Sequence, residues 1–389
     1  MAKQAIKKKD SASSSSFLAN FKASLGDQAL KELSWITMSD GFVKATKLPG
    51  IPEGILTLVG GHTNTGKSSL VCAAIVGAQK KNVLPVIIDT EGNFSFTYAR
   101  NFGMKAEPVY GDVKRSVVDP ETGEVKEVTT NEITHWEGDF VYVGNNDLIN
   151  LYGDINYADR TGASKTKEKR DIPVIEDVAE CIRRFLNAQS NGELDRDILF
   201  IWDSVGSVES YESFLAKSKQ NMRDAAQLKA SFTDILLKLG LTRYVSSKYT
   251  DTMFFVNKVW NDNMGSMGHP TMVLTNGESL SYAARLIIKV GGESKSAISK
   301  LNAVCGGVKY NYGTETRIKI DKNQLNKPFN ASAEGRMDCV SDGIIAPENL
   351  DAYKKTHLLN IVKAMNEANN SNFEASDVRF EEENTSSDE

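Results

Sequence analysis

Short, continuously apolar runs recur along the chain at residues 55–60, 84–89, 140–143, 198–203 and 253–257, with segments able to form helices between them. Runs of this length without polar alternation suit strands buried on both faces. Their alternation with helical segments predicts an α/β fold, a mainly parallel twisted sheet with helices on both faces. Ahead of them, Phe17, Phe21, Leu25, Leu30 and Leu33 fall at helical spacing, predicting a helix over 17–35, or one broken near Gly26, that packs on another surface. The rhythm is interrupted between 105 and 170. Residues 113–132 read as two alternating strands around Asp119-Pro120-Glu121-Thr122-Gly123, an inserted hairpin, and the lysine-rich 161–170 as an exposed loop. Later strands are expected at 285–290 and 315–322, a helix at 350–368, and a polar, mostly acidic tail at 374–389.

The composition fits that picture. At 389 residues, 40% hydrophobic and 25% charged, disorder of the whole chain is excluded. The expected organisation is a basic, serine-rich arm and helix over 1–36, a core over 37–335 with an insertion at about 105–170, a small helical region over 336–373, and an unstructured tail from 374. The net charge of −5 removes the simple argument from a globally basic protein to nucleic acid, but leaves room for a local basic surface. Cys72, Cys181, Cys305 and Cys339 lie far apart with no CxxC pair, which suggests neither a zinc site nor a disulfide scaffold and fits reduced thiols. Lys3, Lys7, Lys8 and Lys9 precede a serine run without a following signal-peptide core, and no run approaches the roughly 20 apolar residues of a membrane span. A cytoplasmic protein without a membrane partner is expected.

Between the first apolar run and the amphipathic segment 69–80 stands Gly61-His62-Thr63-Asn64-Thr65-Gly66-Lys67-Ser68, a full P-loop pattern followed by Ser69. Glycines let main-chain N–H groups close on phosphate oxygens, and the following helix N-terminus adds a favourable field. Lys67 would bridge the β- and γ-phosphates of ATP, and the Ser68 hydroxyl would ligate Mg²⁺. Asp203, ending an apolar strand with Ser204 beside it, is the expected second member of the Mg²⁺ shell. Glu91, just past the strand ending at Asp89, would lie near the γ-phosphate if that strand neighbours the P-loop strand; from spacing alone, an exposed turn glutamate fits equally well.

At Ile88-Asp89-Thr90-Glu91, followed by Tyr98-Ala99-Arg100-Asn101-Phe102-Gly103, the chain resembles the RecA-type recombinases, phage-encoded members in particular. The likeness recurs at Phe255-Val256-Asn257-Lys258, at Met264-Gly265-Ser266-Met267-Gly268-His269-Pro270 with Asn276-Gly277, at Gly313–Asn323, and at Lys327-Pro328-Phe329, and covers roughly 40–104 and 172–330. It implies a RecA-like P-loop NTPase core, with Glu91 and Lys67 catalytic, Tyr98 stacking on adenine, and Lys322 reaching the nucleotide of a neighbouring protomer. Gln324 stands where bacterial members usually carry a second lysine. Residues 209–223, with Lys217, Lys219 and Arg223, correspond to a first DNA loop, and residues 259–278 to a second. There Met264, Gly265, Met267 and Gly268 would hold bases apart, and Trp260 either stacks on a base or is a partly buried aromatic at the loop root. Where the family has a glutamine that senses the γ-phosphate, Lys258 follows Asn257; coupling of nucleotide to DNA then runs through Asn257, or the lysine acts on phosphate itself.

The resemblance implies a DNA-dependent ATPase that forms ATP-bound homo-filaments on single-stranded DNA, pairs them with homologous duplex and exchanges strands, with a single-strand-binding protein and loading factors as further partners. The alternatives are a non-catalytic recombinase mediator and a RecA-fold ring helicase. The 105-residue separation of Tyr98 from Asp203 exceeds the family's usual spacing, and the insertion is read as a decoration in preference to a partner or duplex-DNA contact. Seven acids against Arg379 give residues 374–389 a charge of −6. The tail resembles the acidic C-terminus of the RecA family, which implies that it competes with DNA for basic surface and that truncation at Phe373 strengthens DNA binding.

Overall fold

The computed structural model describes residues 11–26, 29–118, 123, 125–157, 170–217, 221–262, 271–274, 278–292, 297–325 and 333–382. Its centre is a sheet in which six parallel strands carry the apolar runs: β1 (Leu56–Gly61), β2 (Leu84–Asp89), β3 (Val141–Gly144), β4 (Ile198–Asp203), β5 (Thr252–Asp262) and β6 (Leu286–Val290). The spatial order is β6-β1-β5-β4-β2-β3. β1 and β2 are buried along their whole length and β4 over all but its last residue, which is why these segments lack polar alternation.

The sheet then continues antiparallel. β7 (Ile298–Cys305), β8 (Val308–Asn323), β9 (Glu334–Val340), β10 (Gly343–Ile345) and β11 (Arg379–Glu382) extend it, with β8 paired to β6, β7 and β9. Helices cover both faces, among them α1 (Lys67–Lys80), α2 (Ile175–Ser190) and α3 (Asn221–Leu241). One core lies between α1 and the sheet, and a second packs Trp202, Phe232 and Phe255 under α2 and α3. A third, built on Leu301, Tyr312, Val340 and Met365, seats α4 (Leu350–Asn369) against the antiparallel extension.

Four boundaries differ from expectation. The amino-terminal helix spans Ser11–Ser24, beginning earlier than Phe17 and stopping before Gly26 as the broken-helix alternative had it; beyond it Leu30 bridges to Tyr244, and Trp35–Thr37 pairs as a strand with Gly50–Pro52. Phe17, Leu18, Phe21 and Leu25 are exposed, so the helix does not pack on the described residues of its own chain. The inserted hairpin is longer than expected, Ala106–Val118 against Val125–Gly138 in a two-stranded sheet of its own, rooted by Trp136 stacking on Phe96 at 5.0 Å. The region from 336 onward is not a helical appendage alone, because β9 is a sheet strand beside β8. The acidic tail is also ordered through Glu382: β11 pairs with β7, and Phe380 packs edge-on against Tyr312 at 5.4 Å. Its sequence alternates there (Arg379, Phe380, Glu381), one apolar residue facing the core and charges facing out. Among the described residues, no helix is long and apolar enough to cross a membrane.

Candidate functional site

The P-loop lies between β1 and α1, at the carboxyl edge of the parallel strands, where α/β sheets place their ligands. Two of its glycines are required by close approach. A Cβ on Gly61 would meet the Val290 carbonyl oxygen at 2.7 Å, and Gly66, at φ 90°, would meet the Cys339 sulfur at 2.6 Å. Lys67 Nζ and the Thr65 hydroxyl both donate to the His62 carbonyl, at 2.5 and 2.8 Å, which folds the lysine back along its own loop. Burial lowers the pKa of that amine, against the opposing pull of Asp203 and Glu91.

Asp203, at the end of β4, stands in register with Asp89 of β2 and Val256 of β5. Burial, followed by repulsion from Glu91 and Asp89, pushes its carboxyl up to about 7. The described residues contain no cluster of three metal-binding side chains, so a hard cation held by Ser68 and Asp203 would complete its shell from phosphate oxygens and water. The loop cradle and this sparse set fit Mg²⁺ bound together with a nucleotide.

Glu91 reaches the site by a route that spacing does not reveal. β2 does not neighbour β1; β5 and β4 lie between them. The turn after β2 is instead fastened to the end of β4. Thr90 N–H donates to the Asp203 carbonyl at 2.9 Å, the Thr90 hydroxyl lies 2.6 Å from that of Ser207, and Trp202 Nε1 donates to Thr90 Oγ1 at 3.0 Å. Asp89 shapes the turn from within, accepting the N–H groups of Glu91, Gly92 and Phe94 at 3.1, 2.8 and 2.9 Å and the Tyr142 hydroxyl at 3.1 Å. Glu91 thereby meets the Ser204 hydroxyl, which donates to Oε1, and Lys258, whose Nζ lies 3.1 Å from the same oxygen. Burial raises the Glu91 pKa, and the Ser204 hydrogen bond and Lys258 more than offset it, for a net lowering.

Glu91, Asp203, Lys258 and the whole P-loop from Gly61 to Ser69 line one cavity of about 1110 Å³. Tyr98 lines it too, its hydroxyl 2.8 Å from Ser69 Oγ and donating to the Val340 carbonyl at 3.4 Å. Asn257, fully buried, stands in register with Gly60, and Lys258 with Gly61. Lys322 is not part of this cavity; its amine donates to the carbonyls of Ser281 and Tyr282 at 2.8 and 3.1 Å, fastening the helix Glu278–Ala283 that follows the second expected DNA loop.

The expected DNA-contacting residues are not gathered into a described surface. Lys217 is exposed in a left-handed conformation at the end of the helix Tyr211–Ala216. Arg223 lies in α3 and Trp260 in β5, opposite Val273 of the strand Thr271–Leu274, so the roots of the second loop form a ribbon. Lys219, Met264, Gly265, Met267 and Gly268 lie outside the described residues. Sequence reasoning missed the far wall of the cavity, where Cys339 and Val340 at the end of β9, Ser341 beyond it, and Tyr353 and His357 of α4 face the P-loop. No motif marks them.

No family model matches the chain. Stretches of it are similar to Protein RecA of a Sulfurovum species, 33% identical over 84 residues, and to Protein RecA of a Nitratiruptor species, 30% identical over 102 residues. These matches cover 21% and 24% of this chain, and 24% and 30% of those relatives' lengths. The similarity is to RecA in part, and the chain spans less than a third of the length of these relatives in the matched stretches.

Proposed function

We propose that the protein is a DNA-dependent ATPase of the RecA type, forming ATP-bound filaments on single-stranded DNA and pairing them with homologous duplex. The observation that carries this reading is the convergence of Lys67, Ser68, Asp203 and Glu91 on one cavity at the carboxyl edge of a parallel sheet, in a chain partly similar to RecA. The P-loop amides and Lys67 would hold the triphosphate, and Ser68 and Asp203 the cation, which supplies neutralisation of phosphate charge. Glu91 would accept the proton of an attacking water. Lys322 contributes to a neighbouring protomer's nucleotide site, and Lys217, Lys219, Arg223 and the segment around Trp260 contribute to DNA binding. The test is D-loop formation and DNA-stimulated ATP turnover by purified protein, compared with Lys67→Ala; a wild type lacking both activities would refute the proposal.

One observation favours a second reading. A Glu91 already paired with Lys258 is what a non-catalytic mediator that keeps only the nucleotide site would tolerate. Stimulation of another recombinase without ATP turnover would decide for it.

A further inference from the structure

The inserted hairpin leaves the core from a firm root. Gln79, buried in α1, donates to the carbonyls of Lys105 and Asp139 at 3.1 and 3.0 Å and accepts the Lys105 N–H at 2.8 Å, so one side chain ties together the two points from which the strands depart. Trp136 stacks on Phe96 there, with the Arg100 guanidinium 5.7 Å from the centre of a Trp136 ring. From Tyr110 to Val118 and from Val125 to Thr134, by contrast, no residue is buried. A two-stranded ribbon is marginal in water unless something packs on it. Register sets Tyr110 beside Ile133 and Val118 beside Val125, and the even step along each strand keeps all four on one face; all four are exposed. Asp112 and Glu127 lie between them on that face. Residues 106–138 together hold eight acids against three bases. That balance repels phosphate, so nucleic acid is a poor occupant for this face.

A surface of the opposite charge lies on the same chain. Residues 1–25 hold five lysines against Asp10 alone, and Phe17 and Phe21 stand exposed on the helix Ser11–Ser24. Lys3, Lys7, Lys8 and Lys9 lie outside the described residues. We propose that the hairpin is an interface between copies of this chain, its Tyr110–Val118 face receiving the lysine-rich amino-terminal segment, residues 1–25, of a second copy. The exposed rings of that segment cover the apolar pairs of the ribbon, and its lysines meet Asp112, Glu127 and the other hairpin acids. Apolar cover supplies the affinity, and the opposed charges select the partner and the register. Because the two surfaces differ, each copy offers one and receives the other, so the contact is heterologous and propagates from copy to copy. The inference needs neither nucleotide nor DNA and stands apart from the ATPase reading.

The experiment is sedimentation velocity of the full chain at low salt, without nucleotide or DNA, on the wild type and two charge-reversed variants. One carries Lys7→Glu, Lys8→Glu and Lys9→Glu, the other Asp112→Lys and Glu127→Lys. The wild type should form oligomers that grow with protein concentration and weaken as salt passes about 0.15 M, where the Debye length is about 8 Å. Each variant alone should associate about tenfold more weakly. An equimolar mixture of the two should recover dimers, since each retains the half of the contact that the other has lost, and a chain carrying both sets of reversals should associate as the wild type does. Recovery requires both surfaces to be folded, so it separates a lost contact from a damaged protein. A wild type that stays monomeric at high micromolar concentration, single variants that associate as strongly as the wild type, or a mixture without dimers would each overturn the proposal.

Discussion

Lys258 Nζ lies 3.1 Å from Glu91 Oε1, so the base expected to activate water is paired with a cation from the P-loop strand's neighbour. The same carboxylate receives the Ser204 hydroxyl, and together the two partners hold it ionised against the cost of its burial. A glutamine at position 258 would not do this, having no charge. On the proposed ATPase reading, Glu91 would give up part of its hold on Lys258 to take a proton, and an incoming γ-phosphate would draw the lysine away.

Replacing Lys258 by methionine removes the cation and leaves only the Ser204 hydrogen bond and Lys67 to oppose burial, so the Glu91 pKa rises relative to the wild type. The acid limb of the ATP-turnover profile should therefore move to higher pH than in the wild type, where the carboxylate stays ionised to lower pH. A kcat profile carried down through the ordinary carboxylate range, from about pH 8 to about pH 3.5, reads the shift. Superimposable acid limbs would separate Lys258 from the active state.

Asp203 titrates in the opposite sense. Its folded pKa, about 7, lies above the usual carboxylate range, so the folded state favours the protonated form. Its ionisation therefore costs stability that grows as pH rises from about 4 toward 7 and is fully felt above that. Without nucleotide and with Mg²⁺ chelated, Asp203→Asn should stabilise the protein at about pH 8 by on the order of 2–4 kcal/mol and by nearly nothing at about pH 4. Chemical denaturation at the two pH values checks this. Equal stability of the two proteins under the alkaline condition would show that the site tolerates the charge without a counterion.

The amino-terminal helix leaves Phe17 and Phe21 stacked on each other at 5.9 Å and 65% and 52% exposed. Apolar residues one turn apart with no cover among the described residues of their own protomer fit a surface that is buried on assembly. Phe21→Glu should leave the melting temperature of the monomer within about 2 °C, as surface substitutions usually do, while abolishing the large assemblies that the proposed filament predicts in sedimentation with ATP and DNA. Undiminished assembly would assign the helix another role.

The parallel strands and the P-loop were legible because each is a local pattern: a run of apolar residues as long as a strand, and glycines at the spacing a phosphate cradle needs. The partnership of Glu91 with the site was legible only as spacing, and adjacency of β2 to β1 is not how it arises. Hydrogen bonds donated by Thr90 and accepted by Asp89 fix it instead, and strand order is a non-local property. The Tyr353–His357 wall was invisible for the same reason, since its residues meet the P-loop only through the folding of β8 and β9. At the amino terminus, helical spacing through Trp35 was overridden by Gly26 and by the pairing of Trp35–Thr37 with Gly50–Pro52.

The acidic tail also changes the experiment that tests it. Removing everything after Phe373 would delete β11, whose backbone pairs with β7 and whose Phe380 packs on Tyr312, so any change in DNA binding would be confounded with loss of a sheet edge. Cutting after Glu382 spares that strand and removes Glu383, Asp388 and Glu389. Three fewer negative charges should raise affinity for single-stranded DNA several-fold at low salt, with the gain fading as ionic strength approaches about 0.15 M and the Debye length shortens to about 8 Å. The longer truncation should instead lower the melting temperature. Fluorescence anisotropy across a salt series tests the first expectation and a thermal melt the second. If affinity does not change at low salt, the last residues do not compete with DNA for the basic surface.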